Sequence, residues 1–397
     1  MKIRFSSILL VLILLYGINY FIFERVLFFN ELLSLIGFIY FLRISLRQNW
    51  KLRVPDNSVY RLVMGFLFLG LFYSVVSLFL KTNWYYYFRH LSIVYSVFAF
   101  FLGYSLYEAQ YSFYSRLRGL ILGYGLLSFA MGKFGWVDRS SFAYWLSIIQ
   151  RRWQWVGVLG FLFLLGLYFA AFTSLTVIII AGAVMGVLIV PRYTHIKWIS
   201  LAAFLGFCIL FYVAIPYLKL YNVNKEWFFG DVEYVYRQHP WFNFDQNSSW
   251  RMIFWYRTLV EAFPGNLLGL GFGTPILPYH PDVTTTDLGY PDEYIAHVIG
   301  THNTFVTIFV RLGLVSVVLF LLIYRAVFRD FFKYKHYYLN HRNDGGLFIG
   351  FVIITIVGFF NLVLESPTMS GLYWISLGFV ARAMAEPKNY ELPNLRR

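Results

Sequence analysis

The sequence predicts an all-helical protein that crosses a membrane many times, and three observations carry that prediction. Hydrophobic residues make up 59% of the chain and charged residues only 13%, a balance foreign to soluble globular domains. Aromatic residues reach 22%, and tyrosines and tryptophans cluster beside the apolar runs, as they do at membrane surfaces. The apolar residues also fall into windows of about 20, the length that crosses a bilayer as a helix.

Eleven such windows are clear from hydropathy. They cover residues 5–23, 26–46, 62–80, 91–107, 119–136, 154–172, 174–190, 198–218, 302–324, 347–364 and 367–385. The first run is long enough to span and ends in Phe23-Glu24-Arg25 rather than at a small-residue cleavage site. It therefore predicts a transmembrane helix, with the N-terminus in the cytoplasm, instead of a cleaved signal peptide.

A twelfth crossing follows from the distribution of charge. With eleven crossings, the basic loop at 191–197 would lie outside and the polar residues 219–301 inside, against the positive-inside rule. A short crossing over 138–149 removes this conflict, and about twelve helices result. All strongly basic loops then fall in the cytoplasm: Lys2/Arg4, 43–61, Arg116/Arg118, Arg151/Arg152, Arg192/Lys197 and 325–335.

The predicted organisation has four parts. Residues 1–218 form a membrane bundle of about nine spans, and residues 219–301, here called the polar segment, form one large periplasmic loop. Residues 302–385 add three spans, and residues 386–397 form a polar cytoplasmic tail. The polar segment holds five Lys/Arg against nine Asp/Glu, which suits the translocated side. The net charge of +14 is accounted for by the cytoplasmic loops, so it does not indicate a nucleic-acid partner.

An amphipathic helix is predicted near 249–263, lying on the membrane surface. Arg257 stands four residues before Glu261, so it forms an ion pair there or binds a ligand. Arg251 has no acidic residue on its own face and lies in the first turn, where the helix dipole disfavours a cation. Two interpretations stay open for Arg251: it binds a phosphate-bearing lipid, or it reaches to the headgroups as an ordinary interfacial arginine.

Two further groups of residues stand out at the end of the polar segment. The run Gly269-Leu270-Gly271-Phe272-Gly273 follows no strand, so it predicts a tight turn or a close backbone approach to a ligand at Gly271. His302 lies where the chain re-enters the bilayer and is either a general base for an alcohol or an interfacial histidine. Asn303 positions a ligand or caps the next helix. The histidines of this region match no metal-site spacing, so neither a metal nor another cofactor is predicted.

Taken together, these residues resemble the O-antigen ligase and O-antigen polymerase superfamily. The resemblance rests on Arg251-x-x-x-Trp255, the run from Pro264 to Gly273, His302-Asn303 and Arg311-Leu-Gly-Leu-Val. It covers about 250–315, and the Glu365-Ser366-Pro367 corner between the last two spans is similar as well. The resemblance implies a GT-C-like, metal-independent, inverting glycosyltransferase of the bacterial inner membrane, with a donor glycan on undecaprenyl diphosphate at the periplasmic face. By the same analogy Arg251 binds the diphosphate, His302 acts as general base, and Glu365 belongs to the substrate site.

Two positions depart from the pattern of that superfamily. Its second diphosphate-binding arginine follows Thr-x-Ser, whereas here the matching place reads Thr173-Ser174-Leu175. Arg89 and Arg139, both predicted outside, are candidates to supply the missing charge. Arg311 stands where the superfamily often has a carboxylate. It lies about three turns into a span, so it needs a partner there.

Polymerisation of lipid-linked repeat units of O-antigen, capsule or exopolysaccharide is the first functional hypothesis. A ligase that transfers the glycan to lipid A core or another acceptor is the alternative. A flippase for lipid-linked glycans is a third hypothesis, which the scarcity of mid-span charges and the lack of an internal repeat disfavour. Expected partners are the undecaprenyl-diphosphate-linked donor, a glycan or lipid acceptor, membrane lipids and a chain-length regulator.

Overall fold

The computed structural model describes residues 4–18, 29–47, 57–80, 84–130, 219–220, 243–244, 255, 258–259, 264–274, 276, 301, 303–340, 342–360, 363–365 and 369–386. Helices account for most of these residues, which confirms the helical class. The helices are α1 (Phe5–Ile18), α2 (Phe29–Arg47), α3 (Ser58–Ser77), α4 (Trp84–His90), α5 (Ser92–Tyr95), a 3-10 turn (Ser96–Phe98), α6 (Ala99–Ala130), α7 (Gly265–Leu268), α8 (Thr304–Lys333), α9 (Lys335–Asn340), α10 (Arg342–Phe360) and α11 (Met369–Ala385).

One small element within the polar segment is not helical. Lys219–Leu220 (β1) pairs in parallel with Asn243–Phe244 (β2), with Lys219 opposite Asn243. The helical prediction did not include this pair. Its two-residue strands are too short to form an independently stable sheet, so the class of the protein stays helical.

Four helical stretches in the described part of the chain are long and apolar enough to cross a membrane. They are Phe29–Leu46, Ser58–Ser77, Tyr86–Gln110 and Thr304–Lys333, and Phe5–Tyr16 and Asp344–Phe359 are shorter apolar helices. These stretches coincide with crossings expected from hydropathy, so they support the assignment as a membrane protein. The crossings expected at 138–149, 154–172, 174–190 and 198–218 lie outside the described residues.

The loop expected at Arg116 and Arg118 is absent. The sequence predicted two spans, 91–107 and 119–136, on either side of those arginines, but α6 runs through them as one helix of 32 residues. Residues 107–118 contain neither proline nor glycine, so no residue forces the helix to end there. At 1.5 Å per residue such a helix is about 48 Å long, well beyond the hydrocarbon thickness of a bilayer.

The chain divides into two compact units. The first comprises Met1–Phe68, Ser92–Pro191 and Leu319–Arg397, and the second comprises Leu69–Leu91 and Arg192–Val318. In the first unit, α6 and α11 cross at two glycines. A β-carbon on Gly103 would clash with the carbonyl of Ile375, and one on Gly378 would clash with the carbonyl of Phe100. The two backbones can approach this closely because small residues stand at the crossing.

Aromatic side chains fill the core beside this crossing. Phe66 of α3 meets Phe320 of α8 edge-on at 4.9 Å between ring centroids, and it also packs on Trp374 of α11 at 5.5 Å. Asn57 fixes the start of α3: its Oδ1 accepts from the Val59 and Tyr60 amides. Its Nδ2 donates to the carbonyl of Ala381 at 2.5 Å. One N-cap residue therefore also ties α3 to Ala381, near the end of α11.

A buried carboxylate joins three helices of the first unit. Asp344, in the first turn of α10, accepts hydrogen bonds from Tyr107 of α6 and Tyr337 of α9, each at 2.8 Å. Burial, followed by the neighbouring Asp344 carboxylate, raises the pKa of the Tyr337 phenol. Tyr337 therefore stays protonated and remains a donor across the physiological pH range.

Candidate functional site

The second unit is built around a break in α8. Gly313 has φ 72° and ψ −175° inside a helix that continues on both sides, a conformation that a residue with a side chain rarely adopts. Such a break interrupts the helical hydrogen-bond ladder, so carbonyls of the preceding turn need other donors. The Ser316 hydroxyl lies within donor distance of the Ile308 carbonyl of that turn, at 3.2 Å, and of the carbonyl of Gly313, at 2.6 Å.

Residues 269–274, here called the glycine segment, supply two more donors. The Leu270 amide donates to the carbonyl of Val310 at 2.7 Å, and the Gly271 amide donates to that of Arg311 at 3.0 Å. Gly269, Gly271 and Gly273 have φ values of 85°, 73° and 77°. The sequence predicted a tight turn or a close backbone approach to a ligand here. At Gly271 the structure shows a close approach to the protein's own Ser77, whose Oγ would lie 2.6 Å from an added β-carbon. Its role toward a substrate remains a prediction.

Arg311 has the partners that the sequence alone did not reveal. Its Nη1 donates to the carbonyls of Gly271 at 3.2 Å and Thr274 at 2.5 Å, and to the Thr274 hydroxyl at 3.1 Å. The side chain is fully buried. Backbone carbonyls of the glycine segment thus solvate this guanidinium, which explains how a buried arginine is accommodated here.

The end of α3 and the end of α4 hold the other side of the glycine segment. Ser77 Oγ accepts from the Phe272 amide at 2.7 Å, and His90 Nδ1 accepts from the Gly273 amide at 3.1 Å. A neutral imidazole that accepts at Nδ1 carries its hydrogen on Nε2. His90 Nε2 lies 3.5 Å from Arg311 Nη2. Both atoms then carry hydrogen, so this contact is a close approach and not a hydrogen bond.

A tryptophan connects the predicted amphipathic helix to the start of α8. Trp255, which is helical like Thr258 and Leu259, donates from Nε1 to the carbonyl of Thr301 at 2.5 Å. Thr301 is fully buried, and its hydroxyl is 2.8 Å from that of Thr307. In the chain, Arg251 precedes Trp255 by four residues, and His302 directly follows Thr301. The contact joins the neighbourhoods of the two residues expected to do the chemistry.

Asn303 caps α8. Its Oδ1 accepts from the amides of Phe305 at 3.0 Å and Val306 at 3.2 Å, the arrangement of an asparagine N-cap. Of the two roles expected for Asn303, the structure shows the capping role. Ligand binding by its amide nitrogen stays a prediction.

The remaining site residues divide between described and undescribed parts of the chain. Arg251, Arg257, His302 and Arg139 lie outside the described residues, as does Leu175. Arg89 directly precedes His90 at the end of α4, the helix whose last residue holds the glycine segment. Glu365 is buried and belongs to the first unit.

Three residues of this arrangement were not anticipated from the sequence: Ser77, His90 and Thr274. His90 carried a usable signal, since it stands at the edge of an apolar run in the same manner as His302. Ser77 and Thr274 carried none, because a lone hydroxyl residue is common in any sequence. Among the described residues, no group of three or more His, Cys, Asp or Glu could hold a metal ion.

Comparison with known proteins gives no match. No model of a protein family, no curated protein and no solved structure matches this chain.

Proposed function

We propose that this protein is a GT-C-like membrane glycosyltransferase that polymerises undecaprenyl-diphosphate-linked repeat units at the periplasmic face of the bacterial inner membrane. The observation that supports it best is the hydrogen bond from Trp255 to the carbonyl of Thr301. It draws together the chain neighbours of Arg251 and His302, the two residues whose chemistry such a transfer needs. The motif residues Trp255, Gly271 and Arg311 also contribute to one arrangement within the second unit.

The proposed transfer needs no metal. His302 accepts the proton of an acceptor sugar hydroxyl, and the oxygen attacks the anomeric carbon of the donor. The bond from that carbon to the diphosphate oxygen breaks, and lipid diphosphate leaves with the electron pair while the configuration inverts. Arg251 stabilises the negative charge of the leaving diphosphate through bidentate hydrogen bonds. A diphosphate is a good leaving group, so no general acid is required.

Arg89 is the better candidate for the second diphosphate-binding charge. It lies on α4, whose His90 bonds Gly273 of the glycine segment. Arg139 has no comparable support. In this proposal, Arg89 takes the place of the arginine that Leu175 replaces.

The outward position of the polar segment has support from packing. The glycine segment contacts Ser77, the last residue of α3, and His90, the last residue of α4, so it lies beside the connection that runs from α3 into α4. Positive-inside counting puts that connection outside and the basic start of α3, near Arg61, inside. Two stretches expected on the periplasmic side therefore meet at the same end of α3.

The number of crossings then follows from α6. Both the α3–α4 connection and the polar segment are outside, so an even number of crossings must separate them. Since α6 is continuous, the two crossings expected at 91–107 and 119–136 become one. Leaving out the short crossing at 138–149 restores an even number. We therefore propose about ten crossings instead of about twelve, with both termini cytoplasmic and Arg139 on the cytoplasmic side.

Purified protein in proteoliposomes, with a lipid-linked repeat unit as the sole substrate, tests the proposal. Wild-type protein should produce a ladder of lipid-linked oligomers. His302→Ala should lower kcat on the order of 100-fold to 10,000-fold, and Arg251→Ala should remove measurable turnover. Arg325→Ala, an exposed arginine on α8, is the matched control and should keep wild-type rates.

Each outcome of this assay bears on a defined part of the proposal. Full activity of either variant removes the role given to that residue. If wild-type protein leaves the repeat unit unextended but transfers a preformed chain to a lipid A core acceptor, the protein is a ligase and not a polymerase.

Trp255→Phe tests the observation that carries the proposal. It keeps the aromatic ring but removes the donor to Thr301, so we expect kcat to fall about tenfold or more as the two halves of the site lose their register. Trp84→Phe is the control, since Trp84 is 57% exposed on α4. Equal kcat for the two variants would contradict the importance of this contact.

A further inference from the structure

Arg311 is tied to one short stretch of the chain in two directions. Its backbone carbonyl accepts from the Gly271 amide at 3.0 Å, and its Nη1 returns to the Gly271 carbonyl at 3.2 Å. Residues forty apart in sequence thus make a reciprocal pair. The same Nη1 reaches Thr274 twice, at 2.5 Å to its carbonyl and 3.1 Å to its hydroxyl. One guanidinium therefore closes both ends of the turn from 271 to 274.

The residues between these ends are also fixed. The amides of Phe272 and Gly273 donate to Ser77 and His90, and the Thr274 hydroxyl donates to the Leu270 carbonyl at 3.0 Å. Hydrogen bonds to charged donors contribute more than neutral ones. Arg311 therefore contributes the strongest bonds that hold the glycine segment on the broken helix.

The glycine segment is connected to both halves of the proposed site. Directly before it in the chain, Asn266 of α7 donates from Nδ2 to the carbonyl of Leu259 at 3.2 Å. Leu259 lies four residues after Trp255, which bonds Thr301. On the other side, the segment bonds Val310 and Arg311, within two turns of Thr304, where α8 begins. A shift of the segment would therefore move Trp255 relative to Thr301.

We infer that Arg311 is a positioning residue: it sets the place of the glycine segment and thereby the register between the Trp255 helix and Thr301. This role deepens the proposed function and rests on it for its catalytic consequence. The Nη1 atom of Arg311 is taken up by Gly271 and Thr274, so in this inference the residue holds the glycine segment and does not bind the donor phosphate. Lysine replaces it poorly: the acceptors all meet the guanidinium nitrogen Nη1, and an ammonium on a shorter stem is more strongly hydrated and therefore costlier to bury at this fully buried position.

Hydrogen exchange tests the inference without any assay of activity. Full-length protein carrying Arg311→Lys should exchange about tenfold or more faster in peptides covering 265–274 and 301–307. Peptides of α11 (Met369–Ala385) should keep wild-type rates. The matched control is Arg325→Lys, the same charge-conserving substitution on the same helix but at an exposed position. Unchanged exchange in both peptides of Arg311→Lys would overturn the inference.

A chemical rescue separates positioning from general destabilisation. Arg311→Ala should regain protection of 265–274 when guanidinium is added at millimolar concentration, whereas ethylammonium should restore little, because guanidinium is more weakly hydrated than an ammonium and enters a buried site at lower cost. A misfolded variant would regain protection with neither, and this result would count against a positioning role.

The catalytic consequence has its own measurement. In the proteoliposome assay, Arg311→Lys should lower kcat on the order of 100-fold while KM for the lipid-linked donor stays within about twofold of wild type. A raised KM with unchanged kcat would assign Arg311 to donor binding and overturn the inference. If wild-type protein shows no transfer at all, the proposed function fails, and the exchange and rescue experiments still decide the structural role of Arg311.

Discussion

Gly269 and Gly313 pack backbone against backbone. A β-carbon on Gly269 would lie 2.7 Å from the Gly313 amide nitrogen, and one on Gly313 would lie 2.6 Å from the Leu267 carbonyl oxygen. Both glycines have positive φ values, 85° and 72°. Glycine is therefore required at each position for two reasons: the positive φ of the residue itself and the close approach of the opposite backbone segment.

This relationship predicts that Gly313→Ala destabilises the protein by about 2–5 kcal/mol, from backbone strain and overpacking together. Thermal unfolding in detergent, followed by tryptophan fluorescence, measures the loss. The control is Gly119→Ala in α6, where an added β-carbon meets nothing within 4 Å and alanine improves helix propensity. Equal melting temperatures for the two variants would contradict the prediction.

The α6–α11 crossing gives a second prediction. Gly103→Ala and Gly378→Ala should each cost about 1–3 kcal/mol, because a methyl group at either position forces the two backbones apart. The double variant should lose less than the sum of the single variants, since one displacement accommodates both methyl groups. Gly65→Ala is the control: its β-carbon would lie 3.6 Å from Leu319 Cδ2, an ordinary contact. Strict additivity in unfolding measurements would show that the two glycines act independently.

Substitutions of Asn303 distinguish its role as the N-cap of α8 from a role in ligand binding. Asn303→Ala should lose about 1 kcal/mol of stability as the N-cap of α8 disappears. Asn303→Asp keeps an oxygen for the cap and suits the helix dipole, so it should keep both the melting temperature and the transferase rate. A melting temperature that is retained while kcat/KM falls would instead indicate that the amide nitrogen contacts the diphosphate, which an aspartate would repel.

The proposal that α6 crosses the membrane only once can be tested with reporter fusions that show on which side of the membrane a residue lies. A reporter fused after Arg139 should give a cytoplasmic signal, because α6 crosses once and no crossing over 138–149 is needed. Fusions after Arg151 and after Asp282 are the cytoplasmic and periplasmic references. A periplasmic signal at Arg139 would restore the short crossing and the count of about twelve.

The helices show where sequence reasoning succeeds. Apolar runs long enough to span a bilayer place both ends of α2 and α3 and the start of α8 within a few residues of their observed bounds, because burial in lipid demands length and composition that hydropathy reads directly. The end of α8 was placed too early, at 324 instead of Lys333. The prediction of a loop between 107 and 119 was wrong for a related reason. Its two arginines were taken to indicate the edge of the membrane, but charged residues do not end a helix.

The candidate site was predicted from the sequence only in part. Arg251, His302, Asn303 and the glycines at 269–273 were singled out by chemistry and local pattern, and Arg311 was recognised as needing a partner. The partner could not be named from the sequence because carbonyls carry no sequence signal: every residue has one. Ser77 and His90 were missed because they act through the Phe272 and Gly273 amides, nearly two hundred residues away in the chain.

The sequence by itself determined that this is a helical membrane protein and where its unusual polar residues lie, since both follow from composition and local spacing. Only the tertiary structure decided what these residues do for each other. It breaks α8 at Gly313, places the glycine segment on the freed carbonyls and closes the turn with Arg311. Such contacts depend on long-range approach between backbones, which is set by packing and not by the identity of any neighbouring residue.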